Sequence, residues 1–307
     1  MRFRLRATLA AATVAIALTL AGCGSPEPTH RPAPTSQAVT RAVKADVTVT
    51  VDGTRRSFLV WSPQHLASAK LPVIVALHGA GGNAAEFAQT TGFARLKSAT
   101  SFVAVYPNGT PLYDNRRAWN AGTCCGAPAE KGVDDIGFLS AILDRLVGSF
   151  DADPKRVFLA GFSNGGMLAY RAACDIGPRI AGIAVVSGAL NVSSCPSTNP
   201  MPVFVIHGTA DLVVPFKGGK PINFHAYGLK PWSNASVAQA IAAWKVRDGC
   251  VGAPQLSTVE KVDTAVYADC APGASITVRI RKGGQHVWPR GTAALIAAQL
   301  LGSQPQP

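Results

Sequence analysis

The sequence holds few charges: Asp, Glu, Lys and Arg make up 15% of its 307 residues. No Lys/Arg run interleaves with aromatic residues, so the basic balance, formally +12, is not that of a nucleic-acid binder. It has no C-x-x-C pair, which argues against a structural zinc site. It has no internal repeat, and beyond residue 45 no second linker. The longest apolar stretch, Ala7–Leu20, is too short to span a bilayer as a helix. What is present is a core-rich chain, 48% hydrophobic and long enough for one large core or two modest domains.

The apolar stretch follows Arg2, Arg4 and Arg6, and it ends in Leu20-Ala21-Gly22-Cys23. A positive start, a short apolar run and small residues before a cysteine read as a lipoprotein export signal over residues 1–22. The other reading is an ordinary signal peptide with a coincidental cysteine. Cleavage before Cys23 removes three positive charges and no acid, leaving +9, a balance suited to anionic neighbours such as lipid headgroups. Lipidation of Cys23 would hold the exported protein to the extracytoplasmic side of the cell membrane. It would also explain the odd cysteine count. Of the seven cysteines, Cys124, Cys125, Cys174, Cys195, Cys250 and Cys270 remain for an oxidising compartment. Spacing favours Cys174–Cys195 and Cys250–Cys270. Cys124 and Cys125 are then left as a vicinal pair, unless another arrangement holds.

Residues 23–45 are rich in Pro, Thr, Ser and Ala and read as a lipidated cysteine followed by a flexible tether. Residues 46–307 read as the folded domain. Val47–Val51 and Ser57–Trp61 alternate around Asp52-Gly53, the pattern of an antiparallel hairpin. Buried strands are expected at 71–77, 102–106, 157–160, 180–186, 203–206 and 276–280. Helices are expected near 83–98, 136–148, 164–175, 235–247 and 291–301. Such alternation predicts an α/β fold with a mostly parallel sheet, helices on both faces and an N-terminal antiparallel hairpin. Ligands in such sheets bind at the carboxyl ends of the strands.

Directly after the strand at 157–160 stands Gly161-Phe162-Ser163-Asn164-Gly165-Gly166, a G-x-S-x-G pattern between strand and helix. The turn is so sharp that side chains at 161 and 165 would collide with backbone. The gain is a serine hydroxyl held clear of the sheet at a helix N-terminus. A glycine-rich turn with an N-capping serine is the plainer reading. As a nucleophile, Ser163 needs a base and an orienting acid. His286, on the glycine-rich loop after the last strand, is the better base. His207 ends an earlier strand, and His225 falls in an irregular loop as a surface or pocket-lining residue. Of the acids between Ser163 and His286, only Asp211 directly follows a strong buried strand. Asp175 and Asp248 fall near helix ends, Glu260, Asp263 and Asp269 elsewhere. The backbone N–H of Asn164 and that of Ala80, in His78-Gly-Ala-Gly-Gly82, are the candidate oxyanion donors, each able to contribute about 3 kcal/mol. His78 reads as a hydrogen bonder that shapes this loop. Asp134-Asp135 reads as an N-cap pair.

These motifs, with Tyr106-Pro-Asn-Gly109, Trp119-Asn120, Val133-Asp-Asp-Ile-Gly137 and Gly284-Gln-His-Val-Trp288, resemble the polyhydroxybutyrate depolymerase and feruloyl esterase family. Within it they resemble esterase lipoproteins of the LpqC type. The resemblance spans about residues 46–300. It implies an α/β-hydrolase fold, no cofactor or metal, and a Ser163–His286–Asp211 triad forming an acyl-enzyme. The family hosts depolymerases and feruloyl and acetylxylan esterases, so the resemblance does not fix the substrate; the aromatic-rich segments after the strands favour short-chain, hydroxyalkanoate or hydroxycinnamate esters, free or polymer-linked. An envelope acyltransferase with the same triad, or a non-catalytic envelope-binding lipoprotein, are the alternatives. Trp119 and Trp288 are candidate substrate-lining residues; a core or loop-anchoring tryptophan is the equal alternative at 119. The segments 107–133 and 213–235 are expected to present aromatic faces to the approach, through Tyr113, Trp119, Phe216, Phe224, Tyr227 and Trp232.

Overall fold

A computed structural model describes residues 42–63, 70–96, 101–150, 152–222 and 232–302. Residues 1–22, Cys23 and the tether up to residue 41 lie outside the described residues, as do Phe224, His225 and Tyr227. The first described element is β1 (Ala42–Val51), which begins four residues earlier than the expected start of the folded domain and pairs antiparallel with β2 (Thr54–Pro63). Asp52 and Gly53 both take positive φ, 47° and 72°, as a two-residue hairpin turn that follows strand twist requires.

Next come β3 (Leu71–Leu77), α1 (Ala84–Thr91) and β4 (Val103–Pro107), then a small hairpin of β5 (Thr110–Tyr113) and β6 (Arg116–Ala118). The short α2 (Gly126–Glu130), α3 (Asp135–Ser149), β7 (Ala152–Phe162), α4 (Asn164–Asp175), β8 (Gly182–Val186) and β9 (Pro202–Gly208) follow. α5 (Val237–Arg247), β10 (Gln255–Val259), β11 (Val262–Tyr267), β12 (Ser275–Arg281) and α6 (Thr292–Leu301) complete the described chain. The helix expected over 83–98 stops at Gly92, whose φ of 68° forms a left-handed cap, and a 3-10 turn at Phe93–Arg95 replaces its end.

Ten strands form one sheet in the order β1-β2-β4-β3-β7-β8-β9-β12-β11-β10. The six from β4 to β12 are parallel; antiparallel pairs flank them at both edges. Alternation along each parallel strand sends side chains to two cores. Val73, Val75 and Leu77 of β3 join Phe138 and Ile142 of α3, Met167 and Leu168 of α4 and Trp244 of α5. Ile74 and Ala76 join Phe87 of α1 and Ile296 and Leu300 of α6 on the opposite face. This is the α/β-hydrolase architecture. The order reverses between β3 and β7, so their two following loops share the crevice where such sheets bind ligands.

Disulfides join Cys174 to Cys195, Cys250 to Cys270, and Cys124 to its neighbour Cys125. Three disulfides fit an oxidising compartment and hence an exported protein.

Asp248, at the end of α5, is wholly buried, and neither carboxyl oxygen has a well-formed partner among the described residues. Burial pushes its pKa up to about 7, outweighing the Arg247 charge and the Met201 amide. An acid that binds its proton more tightly folded than unfolded destabilises the fold as pH rises from about 4 to about 7. Asp248→Asn should remove that loss. Thermal melts should show its Tm exceeding the parent's at pH 7.5 by several degrees, about 2–4 °C per kcal/mol, and converging with it near pH 4. A gap that stays constant across the range would refute the assignment.

Candidate active site

Ser163 sits between β7 and α4 with φ 54° and ψ −122°, a conformation L residues rarely hold. A Cβ on Gly161 would run into the backbone of Gly165, and one on Gly165 into the carbonyls of Leu77 and His78. The collisions expected at 161 and 165 are thus those the packing imposes. The Ser163 amide donates to Val186 O of β8 (2.9 Å), and its carbonyl accepts from Met167 N (2.9 Å), fixing the turn at both sides. Its hydroxyl caps no helix amide.

That hydroxyl lies 2.9 Å from Nε2 of His286, and Nδ1 of the same ring lies 2.8 Å from Oδ2 of Asp211. Asp211 follows β9 and His286 follows β12, which pair in register along their lengths. Three bonds stitch their loops: Thr209 N to Arg281 O (3.0 Å), Ala210 N to Gly284 O (2.9 Å) and Gly283 N to the Thr209 hydroxyl (2.8 Å). The other Asp211 oxygen accepts from the amides of Val213 (3.0 Å) and Val214 (2.8 Å). Burial raises the Asp211 pKa. The His286 hydrogen bond and charge, the Val214 amide and the His207 ring together outweigh it and hold the carboxyl below its ordinary value. An ionised carboxylate only accepts, so the proton of His286 is on Nδ1 and the lone pair on Nε2 faces Ser163.

His207 is also buried and keeps a lowered pKa, chiefly through burial. Its Nε2–H donates to Val214 O (2.8 Å) and stands 3.6 Å from Asp211. It braces the turn that carries the two amides on Asp211; Ser163 pairs with the other ring.

The loop after β3 is held from beneath. His78 is fully buried, and burial takes its pKa down to about 4, so it is neutral. Its Nε2 accepts from Gly109 N (3.0 Å), and its Nδ1–H donates to Gly79 O (2.8 Å). Among the described residues the amides of Ala80 and Asn164 have no protein acceptor, the condition an oxyanion site requires.

Trp119 does not line the approach to Ser163. It is wholly buried; its indole N–H donates to His78 O (2.8 Å) and its ring lies against the His78 ring. Its backbone clamps the Asn164 side chain: Trp119 N donates to Oδ1 (2.8 Å), and Nδ2 donates to Trp119 O (3.1 Å). The tryptophan therefore ties the loop after β3 to the start of α4. Trp288 is half-buried, edge-on to Phe87 (5.3 Å), Phe93 and Phe162 (6.4 Å each), while Phe162 lies against His286 (4.9 Å). It anchors the histidine loop to α1.

Asp134 caps α3 as expected, accepting from Gly137 N (2.8 Å). Asp135 does something else. It is wholly buried, pairs with Arg56 (2.7 Å) and accepts from Asn120 N (2.7 Å), pinning the segment that carries Trp119. Sequence reading missed this pair because its two members are 79 residues apart. It also missed the Asn164 clamp, whose partner is a backbone that leaves no residue signature.

A cavity of about 250 Å³ beside His286 is lined by Ala210, Leu212, Val213 and Gln285. Of the aromatics expected at the approach, Trp119 and Trp232 are buried and Phe216 packs against His207, Tyr113 is exposed, and Phe224 and Tyr227 lie outside the described residues. Among the described residues no group of three or more His, Cys, Asp or Glu is arranged to hold a metal ion.

Residues 56–194 match the family model described as "Esterase PHB depolymerase". Over 94% of its length the chain is 31% identical to the "Putative esterase NocK" of Nocardia uniformis subsp. tsuyamanensis, of which it covers 90%. It is 26% identical, over 70% of its length, to feruloyl esterase B of Piromyces equi, of which it spans 39%. Among solved structures, an acetyl xylan esterase from Aspergillus awamori superposes with a TM-score of 0.61 at 15% identity, covering 85% of this chain and 100% of that one, a likeness of fold.

Proposed function

Because the chain belongs to the polyhydroxybutyrate depolymerase and feruloyl esterase family of carboxylic ester hydrolases, we propose that it works through Ser163, His286 and Asp211. The observation that carries this reading is the unbroken chain from Ser163 Oγ through both ring nitrogens of His286 to the buried Asp211. In this mechanism Ser163 Oγ attacks the ester carbonyl as its proton passes to His286 Nε2. The oxyanion that forms accepts from the Ala80 amide of the loop after β3 and from the Asn164 amide at the N-terminus of α4. His286 then protonates the departing alcohol, leaving an acyl group on Ser163. A water molecule, deprotonated by the same nitrogen, releases the acid and restores the serine.

The acyl group we assign is short, hydroxyalkanoyl or hydroxycinnamoyl. Among the described residues, the recess of about 250 Å³ beside His286 has room for a few carbons or one ring. A long acyl chain left in water would lose rotamer freedom with little burial in return. Relatives named feruloyl esterase B and acetylxylan esterase/xylanase agree with small acyl groups. Accordingly kcat/KM on p-nitrophenyl esters should peak at acetyl to butyryl and fall at least tenfold by palmitoyl, with methyl ferulate also cleaved. A maximum at palmitate would sink the short-acyl assignment; no turnover of any of these esters would sink the hydrolase mechanism.

We also assign Cys23 as a lipidated N-terminus that tethers the domain through the segment ending near β1. Fractionation tests it: Cys23→Ala should move the protein from membrane to medium with unchanged turnover of soluble esters. Retention in the membrane would point to a different anchor.

A further inference from the structure

A cleft of about 660 Å³ lies away from Ser163. It lies between the β1–β2 hairpin and the segments around Asn108–Pro111, Arg117 and Gly132–Asp134. Three guanidinium side chains, Arg55, Arg56 and Arg117, border it. Arg56 is neutralised by Asp135 at 2.7 Å. Among the described residues Arg55 and Arg117 enter no ion pair. The Arg117 Nη1–H donates to Gly109 O (3.2 Å), and its Nε is buried with no partner. Thr110 Oγ1, also in the lining, is buried and unpartnered as well. Two carboxylates, Asp52 and Asp134, also border the cleft; both are exposed, and among the described residues neither pairs with Arg55 or Arg117. Burial and the nearby Arg56 both press the Arg117 pKa downward, the response of a cation short of an anion.

We propose that this cleft is a binding site for a sugar acid, a hydroxylated ring carrying a carboxylate. The carboxylate suits guanidinium donors. The hydroxyls of Thr48, Thr54 and Thr110 suit a polyol, and Val51 and Val133 offer the apolar contact that a sugar face needs. The volume exceeds what a lone inorganic anion would fill and matches about two sugar rings. Arg117 also pairs by backbone with the loop after β3: Gly81 N donates to Arg117 O (2.8 Å) and Arg117 N to Gly82 O (3.1 Å). A ligand held here would sit one strand behind that loop, placed to retain an acidic polysaccharide while an ester is presented at the crevice.

Calorimetric titration at low ionic strength tests this on the intact protein, with digalacturonate, xylobiose and inorganic phosphate as probes. Digalacturonate should bind saturably, and added salt should weaken it. Arg55→Ala and Arg117→Gln should each weaken it about tenfold. Neutral xylobiose should bind at least about tenfold more weakly. Equal binding of xylobiose would overturn the role of charge. Phosphate binding as tight as digalacturonate would reduce the cleft to a plain anion site and overturn the sugar-acid assignment, as would no saturable binding at all. Should Arg117→Gln fail to fold, Arg55→Ala and Thr110→Val decide the matter, and unchanged affinity in both would overturn it. Turnover of p-nitrophenyl butyrate, measured on the same preparations, reports on Ser163 separately, so either reading can fail without the other.

Discussion

Ser163→Ala should lower kcat/KM for p-nitrophenyl butyrate by about 10⁴-fold or more, a loss of at least about 5 kcal/mol of transition-state stabilisation, with little change in Tm. The asymmetry follows from what the hydroxyl does in the fold, which is almost nothing. It caps no amide of α4, and the bond it makes is to His286 Nε2. The turn is held by the Ser163 backbone, through Val186 O and Met167 N, and both contacts survive the substitution. Alanine carries the same Cβ into the same positive-φ conformation, so the strain is neither relieved nor increased. What remains of activity is the oxyanion amides acting on water, which sets a floor above the uncatalysed rate. A fluorophosphonate probe should label the parent at Ser163 and leave the variant unlabelled. A folded variant that hydrolyses the ester within tenfold of the parent, or still takes the probe, would remove Ser163 from the mechanism.

The parts of this molecule that local chemistry dictates were legible before any coordinates. Asp52-Gly53 between alternating runs sets a hairpin because two consecutive positive φ angles suit few residue pairs. The glycines at 161 and 165 advertise the elbow because any larger residue there meets backbone. The continuous apolar runs of β3, β8 and β9 announce strands buried on both faces. The hairpin of β10 and β11 was not legible. It closes one edge of the sheet with every β10 residue exposed and every β11 residue half-exposed, so no apolar alternation marks it. Between the two placements open for Trp119, lining the site or anchoring a loop, the sequence could not choose, for a related reason. A long irregular segment after a strand suggests a wall over the site. Here Asp135 and Arg56 draw it inward from positions far apart in the chain, and Trp119 becomes the beam beneath two loops. Ring type and spacing cannot report which way such a segment folds; a buried ion pair and a side-chain clamp decide it.

Asp211→Asn should reduce kcat by about 10⁴-fold, with a much smaller effect on KM and on stability, and the reason lies in a hydrogen-bond pattern with one solution. Asp211 has two jobs on two oxygens. Oδ1 accepts from the Val213 and Val214 amides, and Oδ2 accepts from His286 Nδ1–H. Asparagine has one oxygen to offer. If its NH₂ faced Val213 and Val214, two backbone donors would meet a third donor in a buried site, at a cost of about 1–3 kcal/mol. The carbonyl must therefore take the backbone amides, and the NH₂ is turned to His286. There it obliges Nδ1 to accept, which moves the ring proton to Nε2 and aims an N–H at the Ser163 hydroxyl. The base is then in the wrong tautomer for every turnover, while the fold keeps its amide contacts and Val214 remains braced by His207. Two other substitutions serve as controls. Asp248→Asn lies at the buried end of α5, and Asp263→Asn removes a surface pair with Lys282 (2.8 Å); both should retain kcat within about twofold. If either of these, and not Asp211→Asn, proves the crippling change, the acid stands elsewhere, and the 2.8 Å contact between His286 and Asp211 is structural rather than catalytic.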